Sequence, residues 1–150
     1  MKRNGLAMML VVLMLAGCTS FHEIKPLSPE VGNPNFPKQV ETLQPTFKWE
    51  AVQREGITYD LIVFEGIKIE SLWEGVKRSV GKEIYYREGL PQAEHKIEAA
   101  LEPGKEYYWT VRTRQGDKVS EWAKYDYTLF LGTAYMKAGN QPFIFKTPEQ

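Results

Sequence analysis

The stretch that most constrains this chain is Leu101 to Arg114, LEPGKEYYWTVRTR. Pro103 and Gly104 supply turn chemistry, because proline presets φ and glycine tolerates φ > 0. Tyr107, Trp109, Val111 and Thr113 then alternate with Tyr108, Thr110, Arg112 and Arg114. A period of two places one set on a buried face and the other toward solvent. The inward set is bulky and aromatic, so the pattern predicts a strand at the centre of a core.

Other segments repeat the pattern. Leu43, Phe47, Trp49 and Ala51 are read as inward, with Thr46, Lys48 and Glu50 outward. After a turn at Gln53 to Gly56, Tyr59, Leu61 and Val63 alternate with Asp60, Ile62 and Phe64. Both of those sets carry apolar groups, which predicts that part of the outer face is covered. Lys82 to Arg87 and Gln92 to Ala100 read as two further short strands, the second with Ile97 inward. Phe143 and Phe145 face one way in the last strand and Ile144 and Lys146 the other, before Pro148 ends it. Aromatic residues make up 13% of the chain, beside 12 Gly and 9 Pro. That composition favours a turn-rich β protein over a helical bundle. A length of 150 residues suits one cored domain. The expectation is an all-β, antiparallel sandwich of short strands.

Two segments depart from it. In Gly66 to Gly81, Ile69, Leu72, Trp73, Val76 and Val80 fall at helical spacing, with Glu70, Glu74, Lys77 and Arg78 between. This predicts a short amphipathic helix inserted between the third and fourth strands. It would cap the sheet over Ile62 and Phe64, or dock a partner. The second segment is Tyr125 to Asn140, which is unusually apolar for a solvated loop. It either folds back on the core or extends the sheet as a hairpin around Gly132. If exposed, it is a contact surface.

The N-terminus carries a different signal. Lys2 and Arg3 precede an apolar run, Leu6 to Leu15, too short to span a bilayer comfortably. The run closes on Leu15-Ala16-Gly17-Cys18. Here the chain resembles a bacterial lipoprotein precursor, for which Leu-Ala-Gly-Cys is the lipobox. The resemblance implies a signal peptide over 1–17, cleavage before Cys18, and diacylglycerol and acyl chains (palmitate among them) on that cysteine. Such chains exceed the two signals needed for stable anchoring. Thr19 rather than Asp follows the cysteine, which by the same resemblance favours an outer membrane facing the periplasm. Residues 18–38 contain Pro26, Pro29, Pro34 and Pro37 and read as an extended tether. At ~3.3 Å per residue it would reach up to ~65 Å, with part of it available as an edge strand.

Several of the strand motifs carry a second resemblance. Leu101-x-Pro103-Gly104-x-x-Tyr107-x-Trp109-x-Val111 resembles the E–F corner of a fibronectin type III domain. Phe47-x-Trp49 is similar to that family's second strand, Tyr59-x-Leu61-x-Val63 to its third, and Phe145-x-Thr147-Pro148 to its closing strand. The match covers about 39–148. It implies an immunoglobulin-like sandwich with Trp49 and Trp109 in the core. It also implies that Tyr107 is a tyrosine corner, bonded back to the backbone just upstream.

Composition and motifs narrow the function. The chain carries 19 basic and 19 acidic residues. Without Lys2 and Arg3 the balance is 17 against 19, or −2, and no basic stripe points to nucleic acid. A single cysteine leaves no internal disulfide and no thiolate metal cluster. No nucleophile elbow, phosphate loop or His-Glu metal spacing occurs. Glu50, Glu55, Asp60, Glu65, Glu70 and Glu74 fall at positions read as solvated. His22 reads as a lone solvated residue and His95 as a half-buried strand residue. The expectation is therefore a non-catalytic module without cofactor or metal, anchored to the membrane. Its partner would be an envelope protein or, alternatively, a cell-wall glycan stacked on aromatic side chains. The surface expected to bind is the outer sheet face at Phe64, Tyr85 (or Tyr86), Tyr108 and Arg112, with Trp73 and Tyr135 at its margins. Arg112 and Arg114 are expected to stack with Trp122.

Overall fold

The alternating aromatic residues close on one another. In the computed structural model, which describes residues 17–131 and 133–149, Trp109 lies 5.0 Å from Phe47, 5.0 Å from Phe143 and 6.4 Å from Trp49 between ring centroids. All four side chains are buried. Each is worth about 1.5–3 kcal/mol or more in apolar surface removed from water. Tyr59, Leu61, Val63, Val111 and Phe145 complete the same core.

The described residues form twelve strands: β1 (Gly17–His22), β2 (Pro26–Ser28), β3 (Lys38–Gln39), β4 (Thr46–Trp49), β5 (Thr58–Ser71), β6 (Gly75–Leu90), β7 (Glu94–Lys96), β8 (Glu106–Gln115), β9 (Lys118–Val119), β10 (Lys124–Leu131), β11 (Ala134–Gln141) and β12 (Phe143–Lys146). The largest sheet has the order β3-β12-β8-β5-β6, with β9 beside β8. A second sheet runs β2-β4-β7 and a third β1-β10-β11. All pairings are antiparallel except β3 with β12. The inward residues of β4 and of β5, β8 and β12 meet in one cluster. The chain is thus all-β, with antiparallel sheets enclosing an aromatic core.

The turn before β8 behaves as its residues require. Gly104 takes φ +66°, and its amide donates to the Pro148 carbonyl at 2.9 Å. Four residues on from Pro103, the Tyr107 hydroxyl accepts the Glu102 amide proton at 3.0 Å. Thr147 Oγ1 locks the neighbouring strand end by donating to Glu102 O and accepting from Lys105 N.

The expected helix over Gly66 to Gly81 is not formed, and no helix occurs among the described residues. β5 and β6 instead run on past the sandwich as a two-stranded ribbon, pairing from Gly66↔Val80 to Ser71↔Gly75. Ser71 Oγ accepts the amides of Trp73 and Glu74, and Gly75 takes φ +73° to close the turn. Glycine tolerates that φ without strain, and β-branched Ile67, Ile69, Val76 and Val80 prefer extended backbone. Leu72 and Trp73, which completed the helical stripe, are the exposed tip of this turn.

Residues 18–38 form no helix, as the prolines demand, and three stretches of them are paired rather than free, with a turn at Asn33 to Phe36 between the second and third. β1 lies along β10 from Gly17↔Leu129 to His22↔Lys124, β2 lies on β4, and Lys38 pairs with Phe145. The expected leader lies outside the described residues, Gly17 excepted. Tyr125 to Asn140 forms a hairpin, β10–β11, with its closing pair at Leu131↔Ala134. Ala51, expected inward, is exposed beyond the end of β4.

Candidate functional site

The outer face of β5 and β8 is more covered than its alternation suggests. Tyr108, placed by sequence on an exposed binding surface, is 4% exposed. It pairs with Phe64 on one side and Ile144 on the other. Together with the 34–35 loop, Val76 and Arg78 to Val80 of β6, and Ala138 and Asn140 to Pro142, it lines a groove of about 350 Å³. Burial, with Glu106 nearby, raises the Tyr108 pKa, so its phenol is a neutral group at the wall of the groove. Arg78 stands at the rim, where its Nε and Nη2 donate to Glu106 Oε2 and Oε1 at 2.8 and 3.1 Å. A guanidinium held in such a fork is neutralised and anchors the ribbon to β8. The remaining lining is apolar (Pro34, Val76, Val80) and amide-bearing (Asn35, Asn140, Gln141). That chemistry suits an uncharged, extended segment with hydrogen-bonding groups.

Further along the same face stands a charged cluster. Asp60 is 0% exposed, which corrects its expected solvation. Its Oδ2 accepts from Arg112 Nε at 2.9 Å and Arg114 Nη2 at 2.8 Å. Its Oδ1 accepts from Arg114 Nε at 2.9 Å and the Gly89 amide at 3.2 Å. Desolvation pushes this carboxyl up, but the hydrogen bonds from Arg114 and Arg112 outweigh it and hold the pKa below its ordinary value. Arg112 also lies 4.4 Å over the Trp122 ring, the expected cation–π contact. Arg114 turns away to Asp60 and Glu88. Arg112 is therefore spent on Asp60 and Trp122 and is not a free binding group.

Tyr85 does not belong to that face. It pairs with Val63 and packs against the core cluster at the open edge of the sandwich. Tyr86, opposite Ile62, is the outward tyrosine. The Tyr85 ring stacks on His95 and its hydroxyl contacts both His95 Nε2 and Glu98 Oε2, while Arg87 lies 4.7 Å over the ring. His95 is the half-buried strand histidine expected.

Trp73 is 94% exposed at the tip of the β5–β6 ribbon. Tyr135 is 68% exposed on the β10–β11 hairpin, where it pairs with Phe130. The six proposed surface residues therefore divide. Phe64, Tyr108 and Arg112 share one face, Tyr85 sits at the sandwich edge, and Trp73 and Tyr135 occupy separate hairpins. The structure adds Arg78, Asn140 and Pro34 to the groove, residues that no local pattern singled out. Their convergence depends on the ribbon geometry and the path of the 34–35 loop.

Cys18 is exposed and free on β1, opposite Thr128. His22, read as solvated and alone, bonds Asp126 at 2.9 Å through Nε2. Asp126 occupies a bulge between Tyr125 and Tyr127 and also accepts the Asn140 amide at 2.7 Å. Among the described residues no group of three His, Cys, Asp or Glu side chains is disposed to hold a metal ion, and no helix is long and apolar enough to cross a membrane. No family model, curated protein or solved structure matches the chain.

Proposed function

We propose that this chain is a lipid-anchored envelope lipoprotein. Its sandwich, of fibronectin type III-like type, would serve as a non-catalytic protein-interaction module in the periplasm, at the outer membrane. The observation that carries this reading is Cys18. It closes a basic and apolar leader in Leu15-Ala16-Gly17-Cys18, and its thiol is exposed near the start of the first strand. The domain type is supported by the strand order, with β2-β4-β7 in one sheet and β12-β8-β5-β6 in another, and by the Tyr107 latch at the start of β8. Sandwiches host many functions, so the interaction role rests on the Tyr108 groove and the exposed Trp73 ribbon. The groove presents partly apolar surface beside fixed polar groups, and the ribbon tip presents exposed Leu72 and Trp73 next to the ion pairs Lys68–Glu70 and Lys77–Glu74.

The glycan alternative has less support. Stacking needs open aromatic faces, whereas on the sandwich Tyr108 is buried and the Tyr85 ring contacts His95 and Arg87, which leaves Trp73 and Tyr135, on two separate hairpins, as the open rings. The anchor is tested by metabolic labelling with palmitate and by detergent partitioning. The wild-type chain should take up label and partition with detergent, and Cys18→Ser should do neither. Label on the serine variant would overturn the anchor. The partner is tested by in-cell photocrosslinking from Asn140 and Trp73 positions. A discrete protein adduct is expected. Absence of adducts, together with tryptophan quenching by wall fragments, would favour the glycan reading instead.

A further inference from the structure

Cys18 and the apolar β10–β11 hairpin lie at the same end of one three-stranded sheet. β1 begins in register with the end of β10: Gly17 faces Leu129 and Cys18 faces Thr128. Thr128 faces Lys137 across the hairpin. Cys18, Thr128 and Lys137 therefore form one row over three strands. Beyond that row, away from the rest of β1, the hairpin continues for three residue pairs, to Leu131↔Ala134. At ~3.3 Å per residue this projects the ribbon roughly 10 Å past the cysteine.

The composition of this projection is one-sided. From Tyr127 to Met136 the chain carries no charge, and Asp126 and Lys137 bracket the run. Phe130 is 46%, Tyr135 68% and Met136 59% exposed. Phe130 pairs with Tyr135, and Leu129 pairs with Met136. Successive pairs alternate between the two faces of the ribbon, so both faces are apolar. A solvated hairpin end ordinarily carries polar turn residues, and an apolar end exposed on both faces calls for an apolar medium.

No linker separates Cys18 from the sheet, since the cysteine is itself the second residue of β1. Acyl chains on that sulfur would enter the bilayer within a few ångströms of the hairpin. We infer that the end of the β10–β11 ribbon, through Phe130, Tyr135 and Met136, inserts into the bilayer surface beside lipid-bearing Cys18 and fixes the domain against the membrane. This rests on the acylation of Cys18 proposed above. The ~10 Å projection matches the depth of about 5–10 Å reached by interfacial elements. Tyr135 has the amphipathic ring that favours this depth. Lys137 lies in the Cys18 row, at the level of the headgroups, where an ammonium is drawn to anionic lipid. Asp126 beside it bonds His22 Nε2 at 2.9 Å and lies 3.9 Å from Lys137 Nζ.

The test uses the full lipoprotein, processed in cells and reconstituted into phosphatidylethanolamine–phosphatidylglycerol vesicles. Acylation consumes the only native thiol, so Tyr135→Cys takes one nitroxide label. Asp117→Cys, in the exposed β8–β9 turn, is the aqueous reference. The label at position 135 should be several-fold less accessible to a water-soluble nickel chelate than the reference, and more accessible to oxygen. Equal nickel accessibility at the two positions, with Cys18 unreactive in the wild-type chain, would overturn membrane insertion and leave the anchor standing. Dipolar broadening between labels at 135 would assign the tip to a second copy and likewise overturn it. Nitroxide uptake by Cys18 in the wild-type chain would remove the anchor and the insertion together.

Discussion

Tyr85 and His95 stack across the open edge of the sandwich, their ring centroids 5.8 Å apart. Tyr85 belongs to β6, the edge of the large sheet, and His95 to β7, the edge of the small one. No backbone ladder joins these two strands, so the side-chain contact ties the sheets there. The single hydroxyl proton of Tyr85 goes to Glu98, and neutral His95 donates to the phenol oxygen from Nε2. Arg87 completes the group, bonding Glu98 at 3.1 Å.

This tie makes stability depend on pH in a defined direction. Burial lowers the His95 pKa below 6.5, against the opposing pull of Glu98. Between its folded value and 6.5 the unfolded chain binds more protons at this site, so stability rises with pH. The contribution is complete above 6.5 and is lost as pH falls from there through the folded value. Thermal melts of the wild-type chain should show a falling midpoint over that interval, and His95→Gln should flatten the slope. An unchanged slope in the variant would assign the dependence to another group.

Tyr107→Phe removes the acceptor of the Glu102 amide and leaves the ring stacked on Phe145 at 5.7 Å. Loss of one such hydrogen bond costs about 1 kcal/mol. In a chain of this size that is a fall of about 3–5 °C in the melting midpoint. A midpoint equal to wild type would show that the latch contributes nothing.

The core was legible and the surface much less so, for one physical reason. Phe47 and Trp49, Tyr107 and Trp109, and Phe143 and Phe145 take alternate positions facing one aromatic core, and a shared core face imprints a period of two. The ribbon from Gly66 to Gly81 has no buried face. Ile69, Val76 and Val80 are exposed, and nothing constrained their spacing to read as strand. Its readable signals were β-branched density and Gly75, which mark an extended turn. Tyr108 alternates outward as expected, but it is buried in the wall of a groove that the 34–35 loop and the β11 end also line, and such long-range contact leaves no local pattern. Asp60 is similar. Arg112 and Arg114 stand two apart, a spacing that puts both on one face, yet the register opposite Asp60 is a tertiary fact.

Gly66→Ala tests the junction where the ribbon leaves the sandwich. A Cβ at this position would lie 2.6 Å from the Glu106 carbonyl oxygen, closer than any real Cβ contact, and that oxygen belongs to the backbone of β8. The strand must shift, at a cost of about 1–3 kcal/mol typical of overpacking. Chemical denaturation should show a lower midpoint with unchanged slope. A variant as stable as wild type would mean that β5 is free to move away from β8 at Gly66.

Asp60→Asn is expected to be the most damaging single change on the outer face. The amide keeps the volume of the side chain but removes the charge that both guanidiniums address. One oxygen remains as acceptor, and the amide N–H₂ group must face Arg112 or Arg114, so donors meet donors. Removing one partner of a buried ion pair costs about 3–5 kcal/mol. The arginines retain some exposure, with side chains 20% and 25% accessible, so water softens the loss toward about 3 kcal/mol. The effect should couple to Arg112. With Arg112→Leu already in place, Asp60→Asn should cost measurably less, because one of the two opposed donors is gone. Additive losses in that double-mutant cycle would show that Asp60 acts chiefly through Arg114 and the Gly89 amide.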